Sequence, residues 1–304
     1  MDVMDLINEG KIKRYFRARK KLNAPNIVCH ITQRAAGKEP LFLEDDDYLQ
    51  MLVLFKRVAK NLSLKVYAFC LMPNHVHLLL SPKRENLHEA MRELFSRYAS
   101  RFNRKYERKG HLFGGRYRQA VCLDDTYLLT ASLYIHLNPV RAGLARAPLD
   151  YRWSSCRLYT DRRVGQSFVD ASFILGLLPE KKKERYGQLL QQGIALQLGE
   201  VLEQEDAIDD FREKLVSLYP SIFARVARMK KIIEHSGLEL VGMDELEGLI
   251  NEGKELPPLT RPEGKKAKKY LIEQLLARGY KREDIGKRLG ISRKTVYNIL
   301  KSPS

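Results

Sequence analysis

Two histidines, His75 and His77, lie one residue apart within an apolar stretch of the sequence, residues 71–80. Side chains at alternate positions of a β-strand emerge from the same face of a sheet. Two imidazoles on one face can bind the same divalent cation, whereas Val76 between them points into the core. The spacing therefore indicates a metal site on a strand. The alternative is a packed or surface histidine pair without metal, which is the commoner use of this pattern.

A tyrosine suited to act as a nucleophile, Tyr134, follows in an apolar helical pattern, and Asn138 lies four residues later. Positions i and i+4 share one face of a helix, so the hydroxyl and the amide can reach the same place. A divalent cation held by two imidazoles and an amide oxygen keeps positions open for phosphodiester oxygens, while a tyrosine oxygen attacks phosphorus. The alternatives are a core role for Tyr134, one of 15 tyrosines, and a helix-end cap for Asn138. On the first strand, His30 is expected to pack or hydrogen-bond.

The charge of the chain favours a polyanionic partner, and nucleic acid is the first candidate. Lysine and arginine total 54 against 37 aspartate and glutamate, which gives a formal charge of +17. No stretch reaches the roughly 18 apolar residues of a membrane span, and the first residues do not form a signal peptide, so we expect a cytoplasmic protein without a membrane partner. The four cysteines form no Cys-x-x-Cys pair and are expected to be buried thiols.

The elements that must position these residues follow the order β-α-β-β-α-β-α. Sequence patterns predict strands at 26–34, 64–71, 75–81 and 116–123, helices at 45–62 and 87–109, and a further helix that opens at 124–126 and ends at Pro139. This order predicts an α+β fold with a ferredoxin-like antiparallel sheet. In that topology the first and third strands are central. The histidine strand should therefore lie mid-sheet, with one face under helices and the other available for a site.

The end of the chain carries the pattern of an all-α helix-turn-helix. Helices are predicted at 270–277, 281–289 and 293–301, with Gly290 at the turn and Ser292 as a cap. The residues expected to contact the major groove or phosphates are Ser292, Arg293, Lys294, Thr295, Tyr297 and Asn298. A basic arm, Arg261, Lys265, Lys266, Lys268 and Lys269, precedes them. The alternative is a three-helix interaction module with a solvated charged face.

Four segments result from this division of the chain. Residues 1–19 are an N-terminal extension and residues 20–164 the domain with the histidine pair. Residues 165–255 are charged, helical sequence without a strand pattern, which we interpret as a connector of unknown role. Residues 256–304 are the helix-turn-helix region.

Four motifs, in register, resemble those of the single-tyrosine HUH transposases, and most closely those of the REP-associated tyrosine transposases. They are MPNHVH at 72–77, GHLFGGRY at 110–117, YIHLNPV at 134–140 and WSS at 153–155. The resemblance covers about residues 20–160. It implies a ferredoxin-like HUH domain that cleaves and rejoins single-stranded DNA, often beside a hairpin, through a 5′-phosphotyrosine and a free 3′-OH.

The resemblance also implies roles for individual residues. His75 and His77 would bind Mg²⁺ or Mn²⁺, and Tyr134 would be the nucleophile. Asn138 stands where related enzymes use a polar helix residue, commonly glutamine, as a third ligand. Asparagine keeps the amide oxygen but shortens its reach. The N-terminal extension and the helix-turn-helix are departures, because minimal members of the family lack them.

Cations mixed with aromatic residues on the helix after the histidine strand suit a single strand or a hairpin stem. The candidates are Arg97, Arg101, Arg104, Lys105 and Arg108, with Arg116 and Arg118 on the following strand. A solvated basic helix is the alternative. The expected partners are single-stranded or hairpin DNA, with double-stranded DNA a further partner of the helix-turn-helix, and the chain is expected to be a monomer or a homodimer.

Two other functions stay open. One is a catalytically silent descendant that regulates through its helix-turn-helix, and against it stand the intact His75, His77 and Tyr134. The other is an RNA-binding protein with the same sheet topology. That class uses aromatic stacking residues on its strands, where this chain has histidines.

Overall fold

The computed structural model describes residues 15–16, 21–37, 39–122, 124–161, 167–196, 207–229, 231–236, 243–252, 262–277, 280 and 282–301. The chain divides into two compact units, of which the larger is Asn23–Gly237. The smaller combines Met1–Leu22 with Leu238–Ser304. Most of the predicted N-terminal extension, 1–19, lies outside the described residues, apart from a two-residue strand, Tyr15–Phe16.

The sheet of the larger unit has antiparallel strands in the order β4-β1-β3-β2. The strands are β1 (Cys29–Arg34), β2 (Leu64–Met72), β3 (His75–Pro82) and β4 (Arg118–Val121). The predicted α+β, ferredoxin-like order is confirmed, and the histidine strand β3 is central. The two-residue break between β2 and β3, Pro73 and Asn74, forces the antiparallel pairing that places His77 opposite Cys70.

Helices cover both faces of this sheet. They are α1 (Asp45–Asn61), α2 (Leu87–Lys105), α3 (Asp125–Arg141), α4 (Cys156–Thr160), α5 (Ala171–Leu175), α6 (Lys182–Ala195), α7 (Ala207–Leu218), α8 (Pro220–Ala227) and α9 (Lys231–Ser236). On one face, Phe55 of α1 contacts Phe69 of β2, and α2 packs beside α1. On the other face, which carries the histidines, α3 packs on Cys70 and Met72. The face that was predicted to be available for a site is therefore also covered by a helix, because α3 returns across it.

The helix α3 begins at a strong cap and continues past its proline. The side chain of Asp124 accepts a hydrogen bond from the backbone N–H of Tyr127 at 2.7 Å. The prediction that Pro139 ends the helix was wrong, since the helix extends to Arg141. Pro139 lies in the last turn, where its missing N–H removes a single bond, and the N–H of Ala142 still bonds to the carbonyl of Asn138 at 2.9 Å. The helix therefore carries Arg141 on the tyrosine element.

The described residues of 167–196, 207–229 and 231–236 contribute side chains to the core of the larger unit. Tyr186, Leu189 and Phe211 are fully buried in the same cluster as the side chains of α3. A helix that is apolar on every side must be enclosed, and α3 is buried along almost its whole length. The larger unit ends at Gly237, so the predicted connector, 165–255, is divided between the two units. The described residues of its first part enclose α3.

The packing of α6 on α3 predicts that replacing two glycines of α6 by alanine changes the stability of the fold in opposite directions. A Cβ added at Gly193 would lie 2.5 Å from Leu137 and 3.1 Å from Phe211, whereas one at Gly187 has only Thr160 near it, at 4.0 Å. We expect Gly193→Ala to be less stable than Gly187→Ala by about 1–3 kcal/mol. Both variants gain helix propensity from alanine, but only the alanine at position 193 overpacks the core. Urea unfolding of both variants measures the difference, and equal stabilities would contradict this packing.

The smaller unit contains the helix-turn-helix. Its helices are α10 (Met243–Glu252), α11 (Pro262–Ala277), α12 (Arg282–Leu289) and α13 (Arg293–Lys301). Gly290 adopts a φ of +62°, which ends α12, and Ser292 accepts the backbone N–H of Thr295 at 3.0 Å, as a cap. The turn and the cap are as predicted. The basic arm differs from its prediction, since α11 begins at Pro262 and its lysines are helical; Arg261 lies outside the described residues.

Two further expectations concern the whole chain. In the ranges given above, no helix combines the length and the apolar character needed to cross a bilayer. The four cysteines, Cys29, Cys70, Cys122 and Cys156, are all buried and unbridged, as the sequence indicates.

Candidate active site

His75 and His77 lie on the same face of β3. Their rings are nearly perpendicular, with centroids 4.8 Å apart. The strand register places His77 opposite Thr32 and His75 opposite Arg34, while Val76 points to the other face and is 1% exposed. The geometry predicted from the alternate spacing is therefore present.

Hydrogen bonds hold both imidazoles through Nδ1. His77 Nδ1 lies 2.9 Å from His30 Nε2 and 3.3 Å from Thr32 Oγ1. His75 Nδ1 lies 2.7 Å from the side-chain oxygen of Asn74. Tautomers with the proton on Nδ1 donate these bonds and keep the lone pair on Nε2. This is how metal-binding histidines are usually oriented, with one ring nitrogen fixed by a neighbour and the other presented to the metal.

Burial keeps two of these histidines neutral near pH 7. It lowers the pKa of His30 to about 4, and the neighbouring His75 acts in the same direction. Burial also lowers the pKa of His77 well below its usual value, again with His75 contributing. Only the neutral imidazole can bind a metal, so His77 is in the required state across the physiological pH range, and the neutral His30 beside it adds no positive charge.

Tyr134 lies over the histidine face. Its ring centroid is 6.2 Å from that of His77, the two rings are perpendicular, and the side chain is 3% exposed. Asn138, one turn later, is equally buried, and its Nδ2 has no hydrogen-bond partner among the described residues. The guanidinium carbon of Arg141 lies 5.2 Å from the tyrosine ring centroid. Residues 134, 138 and 141 follow the i, i+4, i+7 spacing of one helical face.

Sequence reasoning missed Arg141. The signal for Arg141 is its i+7 spacing from Tyr134, but the sequence analysis predicts that the helix ends at Pro139, before Arg141. Arg34 shares the histidine face through the alternation of His30, Thr32 and Arg34 along β1.

The tyrosine helix is fixed by a buried network on another of its sides. His136 Nδ1 lies 2.8 Å from Tyr186 Oη, and its Nε2 lies 2.8 Å from Ser155 Oγ. Ser155 Oγ in turn accepts the N–H of Phe69 in β2 at 2.9 Å. Burial lowers the pKa of His136 to about 3, so the ring is neutral. The Trp153-Ser154-Ser155 motif therefore joins α3 to the sheet and sets the rotation of the helix.

The predicted DNA-binding cations of α2 lie in the α1 and α2 layer, on the other side of the sheet from Tyr134. Arg97 pairs with Glu93 at 3.2 Å and Arg101 approaches Asp46 at 3.6 Å. Arg97, Arg101 and Arg104 line a surface groove together with Arg57.

Lys105 and Arg108 are engaged with acids. Arg108 pairs with Glu39. Lys105 Nζ contacts Glu44 and lies 3.2 Å from Asp46 and 2.9 Å from Asp47. The three carboxylates are close enough together to hold a cation, and the lysine ammonium occupies that position. Their hydrogen bonds raise the pKa of Lys105, which keeps it charged.

Of the two strand arginines, Arg118 is the one that the register places near the histidines. Arg118 is opposite Thr32, which is itself opposite His77, and it is exposed. Residues opposite each other across strands share a face, so Arg118 lies on the histidine face. Arg116 is exposed in the segment before β4.

In the smaller unit, the predicted groove-contacting residues surround the start of α13. Ser292, Arg293, Lys294, Tyr297 and Asn298 are exposed, and Thr295 is half-buried. Arg282 stacks on the Tyr297 ring at 5.6 Å. The apolar positions Ile285, Val296 and Ile299 form the core beneath them.

Two family models match separate parts of the chain. Residues 23–138 match the family described as IS200-like transposase, and residues 264–302 match the homeodomain-like domain. A solved structure of a REP-associated tyrosine transposase bound to a REP hairpin is 13% identical, with a TM-score of 0.43, and covers 51% of this chain and 94% of its own. A search of curated proteins finds no match.

Proposed function

We propose that the chain, which carries an IS200-like transposase domain at residues 23–138, is a DNA transposase that cleaves and rejoins single-stranded DNA through a covalent bond to Tyr134. The observation that carries this proposal is the placement of Tyr134 over the face that presents His75 and His77, with 6.2 Å between the rings of Tyr134 and His77. A tyrosine beside an imidazole pair suits nucleophilic attack on a phosphodiester assisted by a metal ion.

His75 and His77 would hold Mg²⁺ or Mn²⁺ through Nε2, and the Asn138 amide would be the third ligand. Asn138 fits this role because its amide is buried and its Nδ2 has no partner among the described residues. The two ends of a side-chain amide are interchangeable by a flip, so the same position can present an oxygen. A bound divalent ion would neutralise charge on the phosphate and polarise phosphorus.

In the proposed reaction, the Tyr134 oxygen forms a bond to phosphorus and the bond from phosphorus to the 3′ oxygen breaks. Tyr134 loses its proton, and the departing 3′ oxygen gains one and becomes a free hydroxyl. The reverse step, attack of a 3′-OH on the phosphotyrosine, rejoins a strand and restores the tyrosine. The number of phosphodiester bonds is conserved throughout, so no nucleotide cofactor is needed.

The two units would bind different forms of DNA. Arg34 and Arg118 lie on the histidine face and would contact the phosphates of a single strand, and the arginine groove between α1 and α2 would contact a hairpin stem. The homeodomain-like region would bind double-stranded DNA through α13.

The assignment of α13 to DNA predicts a change in salt dependence. We expect the double variant Arg293→Ala, Lys294→Ala to bind duplex DNA more weakly and to lower the slope of log affinity against log salt by roughly two units, since each phosphate contact contributes about 0.9. Fluorescence anisotropy between about 50 and 200 mM salt measures this slope. The charge-matched control is the double variant Lys214→Ala, Arg225→Ala, which changes exposed positions of α7 and α8 in the larger unit. A slope equal to that of the control would remove DNA binding from α13.

The proposed function is tested by incubating the protein with end-labelled hairpin DNA and its single-stranded flanks, taken from beside its own gene, with Mg²⁺ or Mn²⁺. We expect a covalent protein–DNA band on a denaturing gel, dependent on the metal. Tight binding without an adduct, across several flanking hairpins, would contradict the proposal and favour a silent DNA-binding regulator.

A further inference from the structure

Arg141 is a half-buried cation next to the tyrosine, and none of the described residues supplies it with a counterion. Its guanidinium carbon lies 5.2 Å from the ring centroid of Tyr134 and 4.4 Å from that of Phe211 in α7. The side chain is half-buried, and its three nitrogen atoms are buried without a hydrogen-bond partner among the described residues.

This arrangement is costly for the fold. A guanidinium carries five N–H donors, and leaving an unpaired charge in a low-dielectric site is strongly unfavourable. A contact with an aromatic ring is weaker than a charge-assisted hydrogen bond, so the two rings offset this cost only in part. Burial lowers the pKa of Arg141 to about 10, which still leaves the group charged at neutral pH.

A neighbouring arginine demonstrates that the fold can supply acids. Arg212, next to Phe211 in sequence, is also buried, but it pairs with Asp124 at 3.5 Å and with Asp209 at 3.4 Å. Among the described residues, Arg141 contacts the rings of Tyr134 and Phe211 and no carboxylate. Rings hold the guanidinium plane in position and leave its N–H groups for an anion that comes from outside the chain.

We propose that Arg141 binds the non-bridging oxygens of the phosphodiester that Tyr134 attacks. The proposal rests on the proposed role of Tyr134. A phosphate is the anion that matches both the planar fork of the guanidinium and its place beside the nucleophile. Phe211, which orients Arg141, lies in α7, outside the matched residues 23–138, so the helices that follow the transposase domain contribute to its site.

The experiment removes charge from the protein and from single phosphates of the DNA. In a Tyr134→Phe background with EDTA, affinities are measured for a series of single-stranded oligonucleotides, each with one uncharged methylphosphonate. The cleavage position is mapped separately with the wild-type protein and metal. We expect Arg141→Met to weaken binding of the unmodified strand about 10- to 100-fold, as the loss of charge-assisted hydrogen bonds does. For the oligonucleotide with the methylphosphonate at the cleavage position, Arg141→Met should bind with the same affinity as the protein that keeps Arg141, because the charge that Arg141 contacts is already absent.

Three variants keep the result interpretable. Arg185→Met removes a half-buried arginine of α6 whose side chain bonds to Gln188 on the same helix at 3.0 Å, and it should weaken the binding of all oligonucleotides slightly and equally. Arg141→Lys keeps the charge but loses the fork, so an intermediate loss at the same position is expected, and it provides the measurement if Arg141→Met does not fold. Arg141→Met should be at least as stable as the wild type in thermal unfolding, because it removes an uncompensated charge, whereas Arg212→Met should be less stable.

Equal effects of Arg141→Met and Arg185→Met, or a loss spread evenly over all phosphate positions, would overturn the proposal. Failure of the proposed function looks different, because the wild type would then form no adduct whatever the state of residue 141. Position-specific loss with Arg141→Met at a phosphate other than the cleaved one would also overturn the assignment to the reacting phosphate.

Discussion

Tyr134→Phe is expected to abolish the covalent adduct while hairpin affinity stays within about twofold of the wild type. The substitution removes only the phenolic oxygen. The ring, which packs against His77 and beneath Arg141, is retained, so the site keeps its shape. Because no other oxygen replaces the proposed nucleophile, we expect the amount of adduct to fall below the detection limit of the assay.

The matched control is Tyr127→Phe. Tyr127 lies seven residues earlier on the same helix and is fully buried, so it tests the loss of a hydroxyl from α3 without the loss of the proposed nucleophile. We expect the control to form the adduct at a rate close to that of the wild type. An adduct with Tyr134→Phe would place the nucleophile elsewhere, and mass spectrometry of the DNA-linked peptide would locate it.

His75→Ala is expected to eliminate metal-dependent cleavage and to leave hairpin binding in place. A bound metal contributes several kcal/mol to a phosphoryl-transfer transition state, and at about 1.4 kcal/mol per tenfold the rate should fall roughly 10³-fold or more. His75 is the better choice than His77 for this test. It is only half-buried, whereas His77 bonds to His30 beneath the site and its removal would also disturb packing.

An exposed histidine from another motif, His111, provides the control. We expect His111→Ala to keep both cleavage and Mn²⁺ binding, and His75→Ala to bind Mn²⁺ more weakly in a titration followed by electron paramagnetic resonance. Cleavage by His75→Ala at the wild-type rate, or cleavage by the wild type in EDTA, would refute the metal site at the histidine pair.

The sequence was sufficient for the sheet and its histidines because both depend on local periodicity. Alternation along β1 and β3, and the short break at Pro73 and Asn74, determine the pairing and therefore the face that carries His75 and His77. The turn and cap of the helix-turn-helix were likewise local, since Gly290 and Ser292 act on their own neighbours.

Contacts between distant segments were not predictable in the same way. Lys105 meets Glu44 and Asp47 only because α2 packs on the start of α1, so a cation predicted to bind DNA is held by acids about 60 residues earlier. The enclosure of α3 by α6 and α7 also depends on tertiary packing. A charged helical pattern at 182–195 does not reveal that Tyr186 and Leu189 face a buried helix.

The burial of α3 on all sides bears on how a strand-exchange reaction would proceed. Tyr134, the proposed nucleophile, packs over the sheet strand that carries the two histidines, and the hydrogen bond between His136 and Ser155 holds the helix that carries the tyrosine. The loss of conformational freedom needed to align the phenol with the imidazoles therefore accompanies folding, before any substrate arrives. In the proposed reaction the protein would therefore be the stationary partner, and the exchange of ends would require motion of the DNA.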